Sequence, residues 1–151
     1  MRAALTPCLG IPVYYDSGLK YVFADSRGLW RWKWIVVGAH FARLSPEFKK
    51  IVLLHEVGHV RLRHHEKRIA RLWMLVSPRR FSLYFKEQEH EADEFAGSIC
   101  GRAKVIEFYR RQLDYIEAQP PTQKTGMDAV MEKVAKIFHP DLQSRIARLT
   151  G

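Results

Sequence analysis

Cysteine is scarce: Cys8 and Cys100 are the only two in 151 residues, at no metal-binding spacing and too few for a disulfide framework. A reducing compartment is therefore expected. No run of 18 apolar residues occurs, so no segment has the length to span a bilayer. The apolar stretch after Arg2 is cut by Pro7, Gly10 and Pro12 before it reaches the length of a signal-peptide core. These absences lead to the expectation of a soluble, cytoplasmic chain. Internal repeats and low-complexity tracts are missing too, and acidic residues are few, with 16 Asp and Glu against 25 Lys and Arg for a net charge of +9.

The positive excess is uneven. From Arg61 to Arg80, the basic residues Arg61, Arg63, Lys67, Arg68, Arg71, Arg79 and Arg80 stand against Glu66 alone. Such a patch suggests an anionic partner such as nucleic acid, a phospholipid surface or an acidic protein, although a solvated basic face is the commoner explanation. Within it Ile69, Leu72, Trp73 and Val76 recur at helical spacing, as either a core stripe or an interfacial membrane helix.

With 47% hydrophobic residues, the chain has enough apolar material for one core, and a single domain over residues 1–151 is expected. Strand-like content lies in the first 40 residues. Val13 to Tyr15, Tyr21 to Ala24 and Trp32 to Val37 are rich in β-branched and aromatic residues, with turns expected at Asp16-Ser17-Gly18 and from Asp25 to Gly28. They predict a small antiparallel or mixed sheet. The remainder reads as helix. Ser45-Pro46-Glu47 is a helix start, with Ser45 as N-cap and Pro46 in the first turn. Further helices are expected over residues 66–76, 83–100, 103–118 and 128–138, with Pro121 to Gly126 as a polar loop and Asp141 capping a last short helix. The fold class is α+β.

The helix that follows Ser45 contains His55-Glu56-Val57-Gly58-His59. Two histidines four residues apart project from one helical face and can grip one zinc ion, with Glu56 beside them to take a proton from water. Gly58 costs about 1 kcal/mol in a helix relative to alanine, so a close approach by another backbone is expected there. A catalytic zinc takes three protein ligands, so a third donor is required. The acidic segment Glu87 to Glu94 supplies candidates. Glu89, Ala92, Asp93 and Ala96 share one helical face, and its two alanines would let this helix approach the first closely, bringing Glu89 to the metal and Asp93 to a zinc histidine. Glu87, Glu91, His90 and Glu94 lie on faces without small residues and read as surface charges. His65 stands at the spacing of a third histidine ligand, but no Gly or Pro between Val60 and His65 breaks the helix. The helix is expected to run on and turn His65 away, leaving His64 and His65 at the surface or a helix end. Cys8 reads as a small buried hydrophobe, with capping of the zinc in a latent state as the alternative.

Three separated pieces together resemble the gluzincin metallopeptidases that include the HtpX-like and CAAX prenyl proteases. They are the Leu54 to Val60 helix, the Glu89-His90-Glu91-Ala92-Asp93 element, and His139-Pro140 followed by Arg145-Ile146, in that family's order. The resemblance spans roughly residues 20–149. It implies a zincin-like fold, with the small sheet packed on the His-Glu-x-x-His helix, and zinc-dependent hydrolysis of peptide bonds in a peptide or protein substrate. Zn2+ would be held by His55, His59 and Glu89, with Glu56 as general base and Asp93 supporting a zinc histidine. His139 and Arg145 would stabilise the oxyanion, and extended substrate would pair with an edge strand around Trp34 to Val37. A turn histidine ahead of Pro140 is the plainer account of His139. Relatives usually carry transmembrane helices and often Asn-Ala-Phe-Ala where this chain has Tyr21-Val22-Phe23-Ala24. The alternative to a peptidase is a zinc-containing regulatory or binding module of the same fold, acting through the basic patch on nucleic acid or an anionic surface.

Overall fold

The computed structural model describes residues 2–19, 22–70, 77–118 and 141–151. A four-stranded mixed sheet packs against a mainly helical C-terminal half, as expected of an α+β chain. The strands are β1 (Arg2–Cys8), β2 (Ile11–Asp16), β3 (Ala24–Leu29) and β4 (Trp32–Val37). The described helices are α1 (Ala39–Ala42), α2 (Pro46–Arg61), α3 (His64–Ala70), α4 (Pro78–Cys100), α5 (Arg102–Glu117) and α6 (Leu142–Thr150). The expected helix over 128–138, the loop over 121–126, and Leu72, Trp73 and Val76 lie outside the described residues. No described helix is long and apolar enough to cross a membrane.

The sheet corrects three expectations. Its order is β1-β2-β4-β3, with β2 and β4 parallel and the other pairs antiparallel. β4 is therefore internal, and Trp34 to Val37 is no edge. Ile35, Val36 and Val37 are all fully buried, and an unbroken apolar run of this kind marks a strand covered on both faces. β1 was not foreseen from its Ala- and Pro-containing sequence. It is an edge strand, where Pro7 is tolerated beside the register irregularity between Leu5 and Cys8. Finally, of the strand expected over Tyr21 to Ala24 only Ala24 is strand among the described residues, and Asp25 to Gly28 is strand rather than turn. The chain reverses at Trp30 and Arg31 instead, with Gly28 at φ 97° and its backbone so close to β4 that a Cβ would stand 1.9 Å from the Trp32 carbonyl oxygen.

α2 lies at the centre of the molecule. Ser45 caps it by accepting a hydrogen bond from the Phe48 N–H at 3.3 Å, and Ile51, Val52, Leu54, Val57 and Val60 are buried along it. They join Val13, Ile35 and Val37 of the sheet, Ala96 of α4, Val105 and Phe108 of α5 and Leu149 of α6 in one core. Each fully buried Val or Leu contributes roughly 1.5–3 kcal/mol. α4 crosses α2 at Gly58, where a Cβ would meet the Ala92 Cα at 3.1 Å, the Ala92 carbonyl oxygen at 3.2 Å and the Phe95 Cβ at 3.2 Å. Ala92 and Ala96 have no exposed surface. The close approach expected from the small residues is thus present, and it sets how near Glu89 and Asp93 come to the histidines.

α2 does not run on through His65, correcting that expectation. It ends at Arg61, and Arg63 turns the chain with φ 58° in the left-handed region before α3 begins at His64. α6 starts as expected, with Asp141 accepting from the Ser144 N–H at 2.7 Å.

Candidate metal centre

His55 and His59 project from α2 towards Glu89 on α4, and one donor atom from each of the three lies within 4.8 Å of the others. The two Nε2 atoms face each other at 3.1 Å. One Glu89 oxygen is 3.3 Å from the His55 Nε2, and the other is 3.4 Å from the His59 Nε2. A tetrahedral zinc with bonds of about 2.0–2.1 Å has ligand-to-ligand edges of about 3.3 Å, and the N–N separation and each N–O separation are close to that edge, with one Glu89 oxygen turned to each histidine. Two imidazoles and a carboxylate are also a donor set that zinc accepts. Among the described residues around them, Glu56, Glu89 and Asp93 bring three buried carboxylates against the two guanidinium groups of Arg68 and Arg145. A cation that replaces the His55 Nε2 proton would face the Glu89 carboxylate there.

The remaining ring nitrogens decide which face each histidine presents. His55 Nδ1 lies 2.8 Å from Asp93 Oδ1, and an N–H donated there leaves Nε2 as the nitrogen turned to Glu89, where a bound cation would take the place of its proton. Asp93 is fully enclosed. Arg145 donates to Asp93 Oδ2 through Nε at 2.7 Å and to Oδ1 through Nη2, and the Tyr109 hydroxyl donates to Oδ1. Burial pushes the Asp93 carboxyl up, but Arg145 and His55 outweigh it and hold the group well below the usual carboxylate range. For His55 burial pushes down, while the hydrogen bonds to Asp93 and Glu89 prevail and lift it to about 9.

His59 is different. Burial dominates and takes it down to about 4, with His55 adding to the fall. Its Nδ1 lies 2.7 Å from Nδ1 of His64, whose Nε2 is 2.8 Å from Glu91 Oε2. His64 is fully buried at the first residue of α3, so of the two expected places, surface or helix end, the helix end holds and the surface fails. The break at Arg63 folds the start of α3 back onto α2, which a continuous helix would not allow. Glu91 is half-exposed yet engaged with His64, whereas Glu87 and Glu94 are outward charges paired with Arg148 and Arg102.

Glu56 is buried one residue after His55. Burial raises its carboxyl above the ordinary value, the Glu89 and Asp25 carboxylates add to the rise, and His55 and a hydrogen bond from Ser26 oppose it. Ser26, on β3, in turn lies 3.1 Å from Nε2 of His65. His65 is therefore no third donor, as expected, and lies half-buried at the start of α3. Burial pushes the Cys8 thiol up, and Cys8 is not among the donors that converge.

A cavity of about 330 Å³ opens beside the centre, with His55, Glu56, Glu89 and Arg145 in its wall together with Phe23 and Ala24. Arg145 reaches this wall from α6, but its guanidinium donates to Asp93 and Tyr109, with Nη2 also 3.3 Å from His55 Nδ1. His139 lies outside the described residues, as do Tyr21 and Arg71. Within the basic patch Arg68 turns inward, donating to Gln88 at 2.5 Å with its guanidinium 4.3 Å from the centre of the Phe85 ring, and Arg61 donates to the Leu9 carbonyl. Tyr109, Ser26 and His64 were missed from the sequence, where nothing marks them except the histidine's place shortly after His59. Compared with known proteins, the chain matches no family model, no curated protein and no solved structure.

Proposed function

We propose that this chain is a zinc-dependent metalloendopeptidase of the gluzincin kind, with residues 1–151 as one catalytic domain. The observation that carries the proposal is the triangle of His55, His59 and Glu89 donor atoms, with buried Glu56 beside it and a cavity opening on both. The resemblance of the three sequence pieces to that family points the same way. Bound zinc would polarise the scissile carbonyl and acidify the attacking water. Glu56 receives the proton of that water and passes it to the leaving amine, a task suited to a carboxylate whose proton affinity burial has raised. Asp93 keeps the His55 ring oriented, and Arg145 with Tyr109 keeps Asp93 in place. His139 is the remaining candidate for the developing oxyanion. With β4 internal, extended substrate would add along β3, which pairs only with β4 among the described strands and whose Ala24 lines the cavity.

Glu56→Gln is expected to abolish cleavage of a peptide library while zinc, measured by metal analysis, stays bound at one equivalent. Wild-type cleavage by that variant would refute the mechanism.

One observation favours the alternative of a binding module. A groove of about 1320 Å³ lies at the end of the sheet where both hairpins turn, with Trp30 and Trp32 largely exposed and Arg31, Arg61 and Arg63 around them. Its one carboxylate among the described residues, Glu66, is paired with Lys33 at 2.7 Å. Aromatic platforms among cations suit nucleic acid. Salt-sensitive binding of an oligonucleotide without cleavage of any peptide would favour this reading.

A further inference from the structure

We propose that His64, backed by Glu91, is a positioning residue for His59, presenting that histidine's Nε2 to the cation. The inference rests on the metal-centre reading above and adds a support to it that the His-Glu-x-x-His pattern does not contain. The argument begins with His59, whose Nε2 faces His55 and Glu89. A neutral imidazole that offers a lone pair at Nε2 carries its proton at Nδ1. The atom within reach of that proton is Nδ1 of His64 at 2.7 Å, which must then be an acceptor. An imidazole accepting at Nδ1 carries its own proton at Nε2, and there Glu91 Oε2 waits at 2.8 Å. The three groups thus form one chain of hydrogen bonds with a single consistent direction, His59 donating to His64 and His64 donating to Glu91.

A buried histidine is commonly no more than a satisfied core residue. Here both ring nitrogens are used, and one of them on the far nitrogen of a candidate ligand. The local backbone is built around that contact. Arg63 takes a left-handed conformation at φ 58° to bring α3 back, and Gln88 of α4, itself held by Arg68, donates to the His64 carbonyl at 3.5 Å. The His64 ring packs edge-on against that of His59, with centroids 4.8 Å apart. A carboxylate-ended relay of this kind orients a ligand ring and makes its coordinating nitrogen a better donor, and loss of such a partner typically weakens metal binding 10–100-fold.

The test is zinc affinity, measured by competition with a chromophoric chelator on the full chain, alongside the visible spectrum of the cobalt-substituted protein. His64→Leu removes the acceptor and is expected to weaken zinc binding 10–100-fold and to alter the cobalt spectrum. His64→Gln can accept through its amide oxygen and donate through its amide nitrogen, and is expected to recover most of the affinity. Should His64→Leu fail to fold, Glu91→Leu removes only the half-exposed end of the chain and is expected to weaken zinc several-fold. Tight wild-type binding that neither leucine variant changes overturns the inference alone. Failure of the wild-type protein to bind zinc at all overturns the metal centre and the inference with it.

Discussion

The two histidines of the centre sit one helical turn apart and are held by opposite means. His55 is gripped by an ionic cluster in which Asp93 from α4, Tyr109 from α5 and Arg145 from α6 meet, closed off from solvent. His59 leans on a neutral imidazole whose far end reaches a half-exposed carboxylate. The difference marks one side of the centre as structural too, tying three helices together at a buried charge, whereas on the inference above the other serves His59 itself. Damage on the His55 side should therefore appear in folding, and damage on the His59 side in metal affinity.

Asp93→Ala tests the first half of that contrast and has the largest expected effect. It strands the buried Arg145 charge, and removing one partner of such a pair typically costs about 3–5 kcal/mol. Urea unfolding would measure the loss, and unchanged stability would erase the distinction between the two sides. Gly58→Val acts on both sides together, because its side chain would press on the Ala92 backbone and the Phe95 Cβ. Overpacking of about 1–3 kcal/mol is expected, with weaker zinc binding as α4 carries Glu89 away. Normal stability and affinity would show that the helix crossing is not what sets the ligand spacing. Ser26→Ala is the mildest. It leaves both histidine supports intact and removes a hydrogen bond that lowers the Glu56 carboxyl. In the proposed mechanism Glu56 must be ionised to accept a proton, so activity is expected to rise with pH through its titration, and the variant's acidic limb to move to higher pH. A limb that stays in place would separate Ser26 from the base.

Much of the centre was legible because its parts are local on helices. His55, Glu56 and His59 follow from one turn of α2, and Ser45 and Asp141 announce helix starts through their own side chains. Glu89, Ala92, Asp93 and Ala96 follow from the period of α4, and Gly58 pointed to the crossing. His64 was misread because a short-range rule, the absence of Gly or Pro, said nothing of a left-handed Arg63. Trp34 to Val37 was misread as an edge although its unbroken apolar run is the mark of an interior strand.

By itself the sequence determined which side chains of α2 and α4 face one another, since helical periodicity places them whatever else surrounds them. Only the tertiary structure decided what stands behind each. Arg145 lies 52 residues beyond Asp93, Ser26 lies on the strand beside Glu56, and His64 returns through a break in the backbone. Such contacts depend on how separate elements pack around α2, and no local pattern of residues encodes that arrangement.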